Sequence, residues 1–208
     1  MALRAGAIAG IALLALSVAA AQIPPRVEHG ILEGLNQLRE NPAAYADVLK
    51  QERRWYQGRL LQIPNQTGIL TNEGVRALDE AIAALESVRR NVGRVVLSGG
   101  LSNAAADQVR DTGRRGLTGH KGADGSEFDR RIDRYGEWSG EIGENIAYGP
   151  DKPRDIIIQQ LVDDGVGDRG HRKNLLNPAW RYVGIACGPH TRYGTMCVMD
   201  FATNYRDF

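Results

Sequence analysis

Apolar residues recur at helical spacing soon after the first 30 residues of the chain. Ile31, Leu35 and Leu38 fall on one face of a helix, because residues three and four apart lie on the same side. The segment 31–51 is divided by Asn41-Pro42, and proline fits the first turn of a helix but not its interior. The pattern therefore predicts two consecutive helices over 31–51.

Three further helices are predicted along the chain. The first begins near Thr71, which can cap it, and its apolar face is repeated through Leu85. The second contains Leu101, Ala105 and Val109 on one face and ends near Gly113. The third is short, covers 156–162 and ends at Gly165.

The C-terminal part has the pattern of a β-hairpin. Apolar runs at 182–187 and 196–202 are separated by a turn-rich segment. A turn centred on Arg192 would place Cys187 directly opposite Cys197, close enough for a cross-strand disulfide if the pair is a non-hydrogen-bonded one. Two buried thiols are the alternative.

Two segments carry little periodicity. Residues 118–149 are rich in Gly, Asp and Arg, so we expect mostly loop with short extended pieces. Long structured loops in compact domains are usually functional. Residues 53–68 are polar and also predicted to be irregular.

The N-terminus has the pattern of a signal peptide. Arg4 precedes an apolar run over 5–21 that is short and rich in Ala and Gly, and Ala19-Ala20-Ala21 is typical of a cleavage site. We expect cleavage before Gln22, which leaves 22–208 as a single domain in the extracellular or periplasmic space. An uncleaved membrane anchor is the alternative.

Charge and missing motifs exclude several classes of function. The formal net charge of +1 argues against a nucleic-acid partner, since such proteins carry a basic surface. The chain has no nucleophile elbow, no cysteine placed as a nucleophile and no His-Glu-x-x-His motif.

The candidate chemistry lies in histidines that follow glycines. His120 follows Gly119, His171 follows Gly170, and Glu144 stands between them in Gly143-Glu144-Asn145. Neutral imidazoles bind zinc-like metals, and carboxylates or water can complete the ligand set. His190 is a further candidate ligand, whereas nothing points to a site at His29.

Several segments together resemble the CAP superfamily, which groups cysteine-rich secretory proteins, antigen 5 and plant pathogenesis-related proteins. The resemblance implies an α+β fold, an α-β-α sandwich with a central antiparallel sheet, helices on both faces and a cleft on one side. Residues 53–93 lie outside the short core domain and are interpreted as a helical insertion. The similar segments are 35–42, 101–120, 143–147, 171–178 and 183–186.

The resemblance also implies the residues of the cleft. His120 and His171 would line it and hold a divalent metal ion such as zinc, with Glu144 as the first acidic residue. The second is either Asp163 or Asp164. Negative charge at the end of a helix opposes its dipole, so we expect a compensating cation there, which would be Arg169, Arg172 or a metal.

These features favour a secreted, monomeric binding module that captures a small lipid, a sterol or another cell-envelope ligand. The alternative is a metal-assisted extracellular hydrolase, a peptidase or an esterase, in which Glu144 acts as general base. A purely structural envelope protein is a third hypothesis. The mature chain is expected to have no stable membrane span.

Overall fold

The computed structural model describes residues 26–208, so the predicted signal peptide and its cleavage site before Gln22 lie outside the described residues. Within 26–208, no helix combines the length and the apolar character needed to cross a membrane. The elements are α1 (Arg26–Glu40), α2 (Pro42–Glu52), a 3-10 turn (Arg53–Trp55), β1 (Tyr56–Gln57), β2 (Leu60–Leu61), β3 (Ile69–Leu70), α3 (Val75–Ser87), β4 (Val96–Leu97), α4 (Gly99–Gly113), α5 (Phe128–Ile132), β5 (Gly136–Tyr148), α6 (Pro153–Val162), α7 (Gly170–Leu176), β6 (Tyr182–His190) and β7 (Gly194–Asp207).

The predicted break between the first two helices is confirmed. Asn41 caps α2, where its side-chain oxygen accepts a hydrogen bond from the backbone N–H of Ala44 at 3.1 Å. Pro42 occupies the first turn, where its missing N–H costs nothing. The predicted apolar face of α1 is buried in the main core.

The main sheet has the strand order β4-β6-β7-β5. The three long strands pair with one another in antiparallel orientation, whereas the two-residue β4 runs parallel to β6. Val198 and Ala202 of β7 pack towards α4 on one face, and Met199 and Phe201 pack into the core with α1 and α6 on the other. The predicted α-β-α sandwich is therefore confirmed.

The predicted hairpin and its disulfide are also confirmed. In the β6–β7 pairing Cys187 lies directly opposite Cys197, and the two sulfur atoms are bonded. Both strands extend beyond the predicted apolar runs, because pairing continues to His190 and Gly194 around a turn centred on Arg192.

The expectation of mostly loop over 118–149 was wrong for residues 128–148 of that segment. It contains α5 and the 13-residue strand β5. Residues 137–141 of β5 are exposed, while 143–147 are buried. Neither stretch alternates between buried and exposed positions, so the sequence lacks the two-residue period that predicts a strand.

Residues 53–93 contain a three-stranded antiparallel sheet, β1-β2-β3, as well as the predicted helix α3. That helix begins at Val75 rather than near Thr71, so the predicted cap was wrong. The carboxylate of Asp164 instead accepts hydrogen bonds from the backbone N–H groups of Asn72 and Glu73, each at 2.6 Å. The interpretation of this segment as an insertion stays a prediction.

Candidate functional site

The loop that follows α4 brings His120 against Glu144 of β5. Nδ1 of His120 lies 2.8 Å from Oε1 of Glu144. Because an ionised carboxylate only accepts hydrogen bonds, Nδ1 carries the hydrogen, and Nε2 of the neutral ring keeps its lone pair. The Glu144 side chain is 1% exposed and that of His120 is 49% exposed. A buried acid therefore orients an accessible imidazole.

Arg131 of α5 completes this cluster, and sequence analysis missed it. Its Nη2 donates to Oε2 of Glu144 at 2.5 Å, and both terminal nitrogens donate to the backbone oxygen of His120 at 3.1 and 3.2 Å. The Arg131 side chain is buried. One guanidinium thus neutralises Glu144 and holds the loop that carries the histidine. The only sequence signal was an arginine beside the apolar Ile132 in a short helix.

The hydrogen bond that His120 donates to Glu144 raises the pKa of His120 above its ordinary value of 6.5, while partial burial opposes the increase. A raised folded-state pKa contributes stability that is fully present below pH 6.5 and is lost as the pH rises through the folded value. The neutral ring with a free Nε2 is therefore the form that prevails on the alkaline side of that pKa.

We predict that Glu144→Gln lowers the pKa of His120, because an amide cannot supply the carboxylate charge that favours the imidazolium. An NMR titration of the imidazole signals measures the change. Glu33→Gln is the matched control, since Glu33 pairs with the exposed His29, at 3.0 Å. An unchanged His120 titration in the Glu144 variant would contradict the assigned pair.

The second histidine–acid pair joins His171 to Asp163. Nδ1 of His171 lies 2.6 Å from Oδ1 of Asp163, and Oδ2 accepts from the backbone N–H groups of His171 and Arg172 at 2.9 and 3.3 Å. Asp163 ends α6 in the left-handed conformation, with φ of 55°. Its side chain thereby caps the start of α7. Of the two acids left open by the sequence, Asp163 contacts the histidine, whereas Asp164 holds the loop before α3.

The compensating cations at the end of α6 are arginines. Arg172 donates to the backbone oxygens of Leu161 and Val162 at 2.6 and 3.0 Å, and Arg169 donates to that of Asp163 at 2.9 Å. Arg169 also binds carboxylates of the α3 segment, namely Glu73 and Glu80. These contacts tie the 53–93 segment to the loop that positions His171.

The two pairs contact adjacent residues of β5 from opposite faces. Consecutive side chains of a strand point to opposite sides of the sheet. Glu144 faces His120 and Arg131, whereas the amide of Asn145 donates to Gln160 of α6 at 2.9 Å and to the backbone oxygen of His171 at 3.0 Å. In the main sheet β5 is an edge strand paired to β7.

An amide network supports the His171 side of this arrangement. Asn174 donates to the side-chain oxygen of Asn145 at 2.8 Å, and the indole N–H of Trp180 donates to the backbone oxygen of Asn174 at 3.0 Å. Asn145 and Asn174 belong to segments that the sequence had singled out, but their roles required the folded contacts.

His190 has a structural role and contacts backbone groups rather than either pair. Its Nε2 lies 3.0 Å from the backbone oxygen of Leu117, and its Nδ1 accepts from the backbone N–H groups of Arg192 and Tyr193. The ring is buried and packs edge-on against Tyr148. With both nitrogens engaged, it offers no lone pair to a ligand.

The side chains present do not fit a zinc site of the usual kind. Catalytic zinc generally takes three protein ligands and structural zinc four. Among residues 26–208, no three side chains of His, Cys, Asp or Glu gather where they could hold one ion. His120 and His171 each offer a single Nε2, since their Nδ1 atoms are bound to carboxylates.

Two solved structures are similar to this chain at low identity. One is an extracellular protein containing a SCP domain from Bacillus anthracis str. Ames, with a TM-score of 0.44 and 18% identity over 60% of this chain and 39% of that chain. The other is an outer surface protein from Borrelia burgdorferi, with a TM-score of 0.46 and 16% identity over 62% of this chain and 89% of that chain. The chain thus spans about two fifths of the length of the Bacillus protein.

The comparison with curated proteins gives no match. The model of the cysteine-rich secretory protein family, CAP, matches residues 32–201, which include both histidine–acid pairs and most of the sandwich. This chain therefore belongs to the CAP family.

Proposed function

We propose that this chain is an exported binding protein that holds a small polar ligand of the cell envelope at His120. The observation that carries the proposal is the accessible imidazole of His120, anchored at Nδ1 by the buried Glu144 and Arg131. In the neutral ring, Nε2 is a hydrogen-bond acceptor of fixed direction, suited to a hydroxyl or amide group. Fixing the acceptor before binding lowers the entropy that the ligand must offset.

A charged depression of about 440 Å³ adjoins this cluster and supports a polar ligand rather than a lipid. Arg131 forms part of its wall and also binds Glu144, so the depression and the histidine share one guanidinium. Sites for apolar molecules are lined mainly by hydrophobic and aromatic side chains. The wall here is completed mostly by charged and polar residues, namely Asp107, Arg110, Asp111, Arg115, Asp124, Ser126 and Arg134.

Export is supported by three separate features. The N-terminal segment has the pattern of a signal peptide. The Cys187–Cys197 disulfide suits an oxidising compartment. The two similar structures are described as an extracellular protein and an outer surface protein.

Metal-assisted hydrolysis with Glu144 as general base has weaker support. The Glu144 side chain is 1% exposed, and its two oxygens bind His120 and Arg131. It is therefore poorly placed to take a proton from water, because a general base must lie within hydrogen-bond reach of that proton. A base in this cluster would have to be Nε2 of His120.

The proposal is tested with protein exported from an expression host and titrated with soluble peptidoglycan fragments. We expect saturable NMR shifts of the His120 imidazole. His120→Gln should weaken binding about five- to tenfold, the value of one hydrogen bond. His29→Gln is the matched control and should bind normally, since His29 is an exposed residue of α1. Equal binding by both variants would refute the role of His120.

Parallel titrations separate the alternatives. Binding to phosphatidylglycerol vesicles but not to peptidoglycan fragments would replace the proposed ligand with a lipid. Zinc affinity comparable to structural sites, with a binding free energy of ~10–16 kcal/mol, and lost in a His120→Gln/His171→Gln variant, would favour the metal hypothesis instead. Cleaved fragments in the same samples would identify an enzyme.

A further inference from the structure

Asp200 is a second carboxyl group beside the cluster of His120, Glu144 and Arg131. It lies on β7 directly opposite Glu144 of β5, so the two side chains share one face of the sheet. Asp200 is fully buried. Among the described residues, neither of its side-chain oxygens receives a hydrogen bond from a donor group. An acidic side chain in such a position is unusual, because buried polar groups almost always have partners.

The surroundings disfavour a second negative charge. Two carboxylates that face each other in a buried site cannot both ionise without a large cost. The charged groups that act on Asp200 are Glu144 from β5 and Arg131 from α5, while its partner on β6 is the uncharged Gly184. Burial, and then the charge of Glu144, raise the pKa of Asp200 well above its ordinary value of 3.8, and Arg131 only partly opposes this.

We infer that Asp200 keeps its proton at neutral pH and donates a hydrogen bond to Glu144, and that it thereby acts as a positioning residue for the Glu144–His120 pair. This assignment gives one of the two oxygens a partner, since a protonated carboxyl supplies its own hydrogen. Glu144 is then held by His120, Arg131 and Asp200 together.

The assignment also balances the buried charge. With Asp200 neutral, the buried part of the cluster contains one carboxylate, Glu144, and one guanidinium, Arg131. A fixed Glu144 fixes the Nδ1–H form of His120 and so the direction of its free Nε2. The inference concerns the site of the proposed function but requires no ligand. The tests of the Asp200 proton can therefore fail even if the protein binds its ligand. They can also succeed if it does not.

Infrared spectroscopy of the exported protein tests the proton directly. At neutral pH we expect a C=O stretching band of a protonated carboxyl group, and Asp200→Asn should remove it. Asp47→Asn is the matched control and should leave the band, because Asp47 is an exposed residue paired with Lys50. Absence of the band in the wild type, or its persistence in Asp200→Asn, would overturn the inference.

The positioning role is read from the ¹⁵N signals of the His120 ring on the alkaline side of the His120 pKa, where the ring is neutral. Asp200→Asn should preserve the Nδ1–H form, because the amide can donate to Glu144 as the protonated acid does. Asp200→Ala should weaken that preference, since it removes the donor. Loss of the Nδ1–H form in Asp200→Asn would contradict the role, and so would its full retention in a folded Asp200→Ala protein.

If Asp200→Ala does not fold, the free energy of unfolding measured as a function of pH tests the inference. A carboxyl group with a raised folded-state pKa stabilises most below its unfolded value, here 3.8, and that contribution is lost as the pH rises through the folded value. The wild type should therefore lose stability relative to Asp200→Asn between mildly acidic and neutral pH. Parallel profiles of the two proteins would overturn the inference.

Discussion

Replacing Arg131 by methionine is expected to lower the free energy of unfolding by about 3–5 kcal/mol, the usual cost of removing one partner of a buried ion pair. The Arg131 and Glu144 side chains are 3% and 1% exposed, and the fully buried Asp200 lies beside Glu144. Without the guanidinium, the carboxylate has no countercharge, and the loop of His120 loses two hydrogen bonds. Urea unfolding at neutral pH measures the loss.

Arg130→Met is the matched control for this experiment, because Arg130 is the exposed neighbour on the same helix. It should change stability by no more than about 0.5 kcal/mol. A loss as small as that of the control would show that the buried pair is not formed.

Gly184→Ala is expected to cost about 3 kcal/mol, at the upper end of the range for overpacking. Gly184 lies on β6 where α4 crosses the sheet, and an added Cβ would collide with the backbone of Leu101 and Ser102. Backbone atoms of a helix cannot rotate away as a flexible side chain does. The helix must shift instead, and the thermal unfolding midpoint should fall.

The control for that substitution is Gly167→Ala. Apart from its two chain neighbours, no heavy atom of the described residues lies within 4 Å of the position that its Cβ would take, and its φ is not in the left-handed region. Its stability should stay within about 0.5 kcal/mol of the wild type. If both alanine variants have the same stability, α4 does not approach β6 as closely as described.

The two histidine–acid pairs show how a sandwich can anchor two imidazoles through buried carboxylates. In each, a side chain that is 1% exposed anchors Nδ1, and the ring reaches towards solvent. Glu144 is fixed by β5, and Asp163 by the left-handed end of α6. Sites supported by such rigid elements hold their geometry before a ligand arrives.

Local patterns in the chain were sufficient for much of the fold. The Asn41-Pro42 break, the helix ending at Gly113 and the hairpin with Cys187 opposite Cys197 all follow from interactions between residues close in sequence. Helix caps, proline geometry and strand register are short-range effects, so they can be read without the fold. The resemblance of short segments to the CAP family then singled out His120, Glu144 and His171.

Contacts between distant segments decided which acid contacts His171 and which further residues surround Glu144. Asp163 and Asp164 are neighbours in the chain, yet one binds His171 and the other binds the loop before α3, because the chain turns sharply between them. Arg131 and Asp200 look ordinary in sequence, since one lies in a short helix and the other in an apolar strand. Their role follows from burial beside Glu144. The free-energy cost of a buried charge depends on its neighbours in space, which the neighbouring sequence does not reveal.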